Sequence, residues 1–219
     1  MNANFKAKDP ISALTHLIGM ILSILFMPVL LIKAARFHMN LPSLISLVIF
    51  MLSMIFLYGA STSYHAFNLP GKGNRILKKL DHSMISVLIA GSYTPICIIG
   101  LSGPSSKKLL LAIWLFALSG IVFKLFWVTC PRYVSSILYI VMGWVCLAVL
   151  PELYRNVPLL SFVMLFTGGL FYSVGGVIYS MDFKPFKKLS KNFSSHDLFH
   201  IFVMLGSLCH FICMYAMVN

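Results

Sequence analysis

Seven long apolar runs, separated by short polar segments, dominate the hydrophobic pattern of the chain. The runs cover residues 11–32, 42–65, 80–101, 109–128, 133–150, 157–180 and 196–218. An α-helix needs about 20 apolar residues to cross the hydrocarbon core of a bilayer. The pattern therefore predicts an all-α fold, an integral membrane bundle of seven transmembrane helices that forms a single domain over residues 1–219.

The composition agrees with a membrane protein and excludes a water-soluble globule. Hydrophobic residues make up 59% of the chain and charged residues only 10%, against about 45–50% and about 25% in soluble domains. The first apolar run is of span length rather than the shorter core of a secretory signal, so we expect no cleavable signal peptide. The expected location is the cell membrane, with several crossings.

The basic residues are placed as topology determinants and not as a nucleic-acid surface. The net charge is +12, but the Lys and Arg residues lie almost entirely between the apolar runs. Eleven lie in segments on the N-terminal side of the membrane and five on the opposite side. The positive-inside rule then predicts a cytoplasmic N-terminus and an outside C-terminus. Lys124, near the inner end of the fourth run, is expected to snorkel to the interface.

Ligand-capable side chains recur at one predicted membrane depth. His196 and His200 lie four residues apart at the start of the last run, a spacing that places two imidazoles on one helix face. His65 ends the second run, Asp81 begins the third, and His16 lies early in the first. Polar groups within spans usually have a functional reason, so a shared site is expected here.

Three imidazoles and a water molecule form a zinc site of the catalytic type. We assign the metal ligands as His65, His196 and His200. Zinc lowers the pKa of its water to about 7, and Asp81 is the candidate catalytic group that orients this water and takes its proton. Ser61 lies one turn before His65 and could donate a hydrogen bond to a developing oxyanion or to the water.

Ordered motifs along the whole chain resemble the hemolysin III branch of the progestin and adipoQ receptor family. The motifs are Thr15-His16, Ser61 and His65 in a Ser-x-x-x-His pattern, Leu80-Asp81-His82, Gly91-Ser92-Tyr93-Thr94-Pro95, Gly143-Trp144, His196-Asp197-Leu198-Phe199-His200 and residues 205–211. One departure is visible, because the chain has Asp9 and Ser12 where the family's first motif usually has Glu and Asn.

The resemblance implies seven spans, a cytoplasmic N-terminus and a zinc ion near the cytoplasmic face. It maps the metal ligands onto His65, His196 and His200, and the neighbouring Ser and Asp onto Ser61 and Asp81. The wider superfamily is similar to alkaline ceramidases and is regarded as metal-dependent hydrolases of lipid amides. Its eukaryotic receptors respond to hormones, and the name of its bacterial members derives from haemolysis.

Three functions are therefore open at this point. The first is a zinc-dependent hydrolase of a lipid amide or ester, and the second is a non-enzymatic regulator of membrane state with structural zinc. The third is a pore-forming cytolysin, although short-looped apolar spans do not resemble a secreted toxin. Membrane lipids are the expected partners, nucleic acid is not expected, and no sequence feature indicates an oligomeric state.

Other polar groups of the spans receive weaker assignments. His16 is either a further group of the site or a packing residue between spans. His82 lies about 100° around the helix from Asp81 and is expected to face elsewhere. His210 lies too far along its helix for the same ion and is expected to bond a neighbouring span. Asp197 is expected to cap the start of the last helix.

Overall fold

The computed structural model describes residues 7–181 and 193–219 and is built from helices, with no strand among them. Its elements are α1 (Pro10–Arg36), α2 (Leu41–Ala66), α3 (Lys72–Pro95), α4 (Gly103–Phe126), α5 (Arg132–Trp144), α6 (Leu150–Asn156), α7 (Leu159–Met181) and α8 (Ser195–Met217). A π-helical turn, Ile96–Gly100, continues α3, and a 3₁₀ segment, Val145–Val149, joins α5 to α6.

Seven helical spans in the described residues are long and apolar enough to cross a membrane. The predicted all-α bundle of seven transmembrane helices is thereby confirmed. The largest difference concerns the third span, which extends over Lys72–Gly100, whereas the apolar run predicted 80–101. The polar first two turns of α3 are helical without being apolar, so hydropathy alone does not detect them.

Breaks in two of the spans face each other inside the bundle. Pro95 ends the regular part of α3 before the π-helical turn, and α5 ends at the 3₁₀ segment. The Tyr93 hydroxyl donates to the carbonyl of Gly143 at 2.6 Å and accepts from the backbone N–H of Cys146 at 2.9 Å. Backbone groups freed at a break in a span need such partners, because lipid supplies none.

The packing order brings the helices with candidate residues together. Helix α1 packs on α2 and α8, α2 packs on α3, and α7 packs on α8. Small residues permit the close approach of α7 and α8. A Cβ on Gly206 would lie 2.8 Å from the Tyr172 ring, and one on Gly175 would lie 2.9 Å from Phe202 Cβ.

The start of α1, the end of α2 and the start of α8 meet at one end of the bundle, which we call the histidine end. The backbone N–H of Asp9 donates to the carbonyl of His65 at 2.9 Å, and Ser12 Oγ donates to Asp197 Oδ1 at 2.6 Å. At the opposite end, Lys33 Nζ donates to the carbonyl of Tyr215 at 2.7 Å. The cytoplasmic assignment of the histidine end stays a prediction from charge, and Lys6, Lys184, Lys187, Lys188 and Lys191 in that count lie outside the described residues.

The expectation that Lys124 snorkels to the interface is wrong. Its side chain is completely buried. The Lys124 ammonium donates to Ser135 Oγ and to Cys130 Sγ at 3.1 Å. The turn between α4 and α5 folds these acceptors back over the lysine, and this inward hydrogen bonding replaces the contact with headgroups.

Candidate metal centre

The side chains of His65, His196 and His200 converge at the histidine end. Each offers one ring nitrogen, and these nitrogens all lie within 4.8 Å of one another. The Nε2 atoms of His65 and His196 are 3.1 Å apart. The rings of His196 and His200, one turn apart on α8, have centroids separated by 4.6 Å. The structure therefore brings together all three predicted ligands.

Two of these imidazoles are oriented through their other nitrogen. His65 Nδ1 lies 2.9 Å from Asp9 Oδ2, and His200 Nδ1 lies 3.2 Å from the carbonyl oxygen of Ser12. With Nδ1 protonated to donate, a neutral ring carries its lone pair on Nε2. Histidines that bind metals are commonly held in this way by a carboxylate or a carbonyl.

The donor set fits a divalent metal ion that prefers nitrogen ligands. When the Nδ1 atoms of His65 and His200 donate, the Nε2 lone pairs of both rings are available to a cation. Three imidazoles with a further position open match catalytic zinc sites, and imidazole also suits copper, iron and nickel.

Asp81 and Ser61 line the same narrow cavity as His196 and His200. This cavity has a volume of about 120 Å³, and its surface is mainly apolar. Asp81 Oδ2 accepts a hydrogen bond from His82 Nδ1 at 3.2 Å. Ser61 Oγ is buried and lies beside the Asp81 carboxylate. Both groups thus face the space beside the three imidazoles, and their catalytic roles stay predictions.

His16 belongs to the neighbourhood of the centre. Its ring stacks on that of His200, with centroids 3.6 Å apart and planes inclined by 11°. Its other neighbour is Tyr58, whose ring meets it edge to face at 5.0 Å. Neither His16 nitrogen has a hydrogen-bond partner in the described part of the chain. His16 also lines the narrow cavity, so its ring both packs between spans and adjoins the candidate site.

One expectation about the remaining histidines is wrong. His82 does not face away from Asp81, because its ring folds back along α3 to bond the adjacent carboxylate. His210 packs against the neighbouring span α7, beside the backbone of Leu165. Its ring lies edge to face with Tyr172 at 5.2 Å and lines the narrow cavity, because glycine at position 168 leaves space for it.

A wider cavity, which we call the mouth, opens at the histidine end. It has a volume of about 940 Å³, and polar and charged side chains from α1, α2, α3, α5 and α8 contribute to its wall. Four side chains line both cavities, so the two cavities meet at these residues: His82, Ser135, Tyr179 and His196.

Lys8 lines the mouth and donates to the carbonyl of Tyr64 at 2.6 Å. Partial burial lowers the pKa of this ammonium, and the neighbouring Asp9 opposes that shift.

The sequence did not reveal the supporting roles of Asp9 and Ser12. Ser12 accepts from His200 through its backbone carbonyl, and its hydroxyl donates to the carboxylate of Asp197 in α8. Asp197 also caps α8, as expected, since its Oδ2 accepts from the N–H of Ser194 at 2.8 Å. The available signal was the family motif, in which an acidic and a polar residue occupy the positions of Asp9 and Ser12.

Comparisons with known proteins agree on one family. The family model described as Haemolysin-III related matches residues 5–211. The chain is 37% identical to Hemolysin-3 of Bacillus cereus over 209 residues, which are 95% of this chain and 91% of that protein. It is 39% identical to a Hemolysin-3 homolog of Bacillus subtilis (strain 168) over 210 residues, 95% of this chain and 94% of that protein. No solved structure matches the chain.

Proposed function

Because the chain belongs to the haemolysin-III related family of multi-pass membrane proteins, we propose that it is a zinc-dependent hydrolase of a lipid amide or ester. The ligands of the ion are His65, His196 and His200. The observation that carries this proposal is the convergence of three ring nitrogens within 4.8 Å of one another beside a cavity that also holds a carboxylate and a hydroxyl.

The narrow cavity supports a lipid substrate. Its mainly apolar wall suits an acyl chain, which on entry exchanges contact with lipid carbon for contact with protein carbon. The side chains of His82, Ser135, Tyr179 and His196 line the cavity where it meets the mouth. The scissile carbonyl of a bound lipid would then lie near the imidazoles while its chain occupies the apolar part.

A bound zinc ion supplies Lewis acidity and lowers the pKa of water to about 7. The Asp81 carboxylate accepts the proton of the attacking water and delivers it to the leaving amine or alcohol. Ser61 Oγ, which is buried beside the Asp81 carboxylate, donates to the carbonyl oxygen as negative charge develops. Asp9 and the Ser12 carbonyl hold two imidazoles in orientation.

Replacing Asp81 by Asn tests the chemistry. The variant keeps the shape of the side chain but cannot accept the proton, so kcat/KM for lipid cleavage should fall by about 100-fold or more. Zinc content, measured by elemental analysis of the purified protein, should be unchanged. The control is Glu152→Gln at the opposite end of the bundle, where Glu152 accepts from Ser105; its kcat/KM should match that of the wild type.

A non-enzymatic role with structural zinc is the second candidate. One observation favours it: Asp81 is hydrogen-bonded to His82 rather than to any of the three imidazoles. The same variant separates the two functions. Two results together would contradict the hydrolase. Wild-type protein would retain zinc but cleave none of a panel of ceramides, acyl esters and phospholipids. The Asp81→Asn variant would also retain full function in cells.

A further inference from the structure

A lysine is buried inside the bundle without a carboxylate partner. Lys124 is completely buried, and the ion pairs of the described residues do not include it. Its hydrogen-bond acceptors are the uncharged Ser135 Oγ and Cys130 Sγ. Buried charges are normally paired, and ionisable groups in spans usually mark a functional site. The position therefore favours a ligand that brings negative charge close to the lysine.

The Ser135 hydroxyl connects the buried Lys124 to both cavities. An ammonium only donates hydrogen bonds, so Ser135 Oγ accepts from Lys124 and its own hydrogen points elsewhere. Cys130 Sγ, 3.3 Å away, and the open space are the alternatives for this hydrogen. Ser135 lines both the narrow cavity and the mouth. It thus offers a donor polarised by Lys124 at the junction where the head of an amphiphile would lie.

The mouth carries charges of both signs. Both carboxylates already have partners, since Asp9 bonds His65 and Asp197 bonds Ser12 and Ser194. The basic residues Lys78 of α3 and Arg132 of α5 also line the mouth, and the Arg132 guanidinium lies over the Tyr179 ring at 5.5 Å. Helix α5 begins at Arg132, which adds the positive end of its dipole. These groups, together with Ser135, form a surface for an anion.

We propose that the junction of the two cavities binds the phosphate group of a lipid, with Ser135 as the donor and Lys124 as the residue that positions and polarises it. A phosphate has several anionic oxygens and can accept from Ser135 and from Lys78 or Arg132 together. The lipid chain enters the narrow apolar cavity. This binding does not require hydrolysis; if the proposed function holds, it identifies the substrates as phosphate-bearing lipids.

Isothermal titration with two single-chain lipids tests the site. The probes are 1-lauroyl lysophosphatidate and the uncharged 1-lauroyl glycerol, with protein in dodecyl maltoside micelles and EDTA, so that no divalent metal binds the phosphate. A hydrogen bond to a charged group contributes about 1.5–3 kcal/mol, which is about tenfold or more in Kd. Wild-type protein should prefer lysophosphatidate by at least this factor.

The variants separate recognition from folding. Ser135→Ala and Lys124→Gln should lower the preference by about tenfold, whereas Ser135→Thr keeps the hydroxyl and the preference. Matched controls are Ser119→Ala and Lys107→Gln, which change exposed residues of the same types on α4 and should leave the preference unchanged. If Lys124→Gln does not fold, the comparison of Ser135→Ala with Ser135→Thr decides.

Two further measurements complete the test. Displacement of lysophosphatidate by millimolar inorganic phosphate would identify the phosphate group alone as the ligand. Failure of this displacement would identify the lipid headgroup together with its chain. The variant Glu152→Gln, at the opposite end of the bundle, where Glu152 accepts from Ser105, should keep the preference. Equal affinity of wild-type protein for both lipids, or a preference that survives Ser135→Ala, would overturn the proposal.

Discussion

Asp9 lies just before the first helix, yet it holds an imidazole of the second. Its carboxylate lies 2.9 Å from His65 Nδ1, and its backbone N–H bonds the carbonyl of the same residue. These two contacts fix both the ring and the end of α2. A residue outside the apolar runs thereby takes part in the candidate metal centre.

Asp9→Ala should weaken zinc binding by about 10- to 100-fold, the usual effect of losing a group that orients a metal ligand. The His65 ring would lose its acceptor and become free to rotate. Competition with a fluorescent zinc chelator measures the affinity. Glu152→Gln is the control, because Glu152 bonds Ser105 at the opposite end of the bundle. Equal zinc affinity of Asp9→Ala and wild-type protein would show that this carboxylate does not support the site.

Sequence spacing was sufficient to predict which residues converge, but not which hydrogen bonds their side chains form. The i, i+4 pair His196 and His200 and the predicted depth of His65 follow from helix geometry and span order alone. The bond from His82 to Asp81 depends on a rotamer that folds along the helix, which a helical projection does not include. The burial of Lys124 depends on the turn between α4 and α5, whose path apolar periodicity does not determine.

At the scale of elements, glycines on α7 and α8 set how closely the two helices approach. A Cβ on Gly206 would meet the Tyr172 ring at 2.8 Å. The ring cannot rotate away freely, because the Tyr172 hydroxyl is hydrogen-bonded to Ser207 Oγ at 2.9 Å. Helix α8 carries two of the three candidate ligands, so this packing also bears on their position.

Gly206→Ala should lower the free energy of unfolding by about 1–3 kcal/mol, as expected for overpacking in a tight interface. Unfolding in increasing concentrations of sodium dodecyl sulfate, followed by circular dichroism, measures the change. Gly143→Ala on α5 is the control, because nothing lies within 4 Å of its added Cβ and alanine favours a helix by about 1 kcal/mol. A loss of stability that is equal in both variants would contradict the packing argument.

Hydropathy predicted the number and order of the helices because each span must be apolar where it meets lipid. Hydropathy was less accurate in predicting the residues at which the spans begin and end. Helix α3 begins at Lys72, since its polar first turns need not lie in hydrocarbon. The fifth span continues to Asn156 through a 3₁₀ segment, a break that no local residue preference announces.

At the scale of the whole molecule, the basic residues predict the direction of insertion. The histidine end should face the cytoplasm, because positively charged segments are retained there. Alkaline phosphatase fused after Asn219 should be active, since it would be exported, and a fluorescent protein fused at the same place should be dark. Fusions within the segment between α2 and α3 should behave in the opposite way. The reverse pattern would place the three imidazoles on the outer side.

The three-histidine cluster joins an early helix to the last one. His65 belongs to α2, and His196 and His200 belong to α8. A ribosome that makes this chain therefore completes the cluster only when it has translated His200, 135 residues after His65. A chain that stops before His196 has a single member of the trio, so the candidate metal centre is incomplete until α8 has been made.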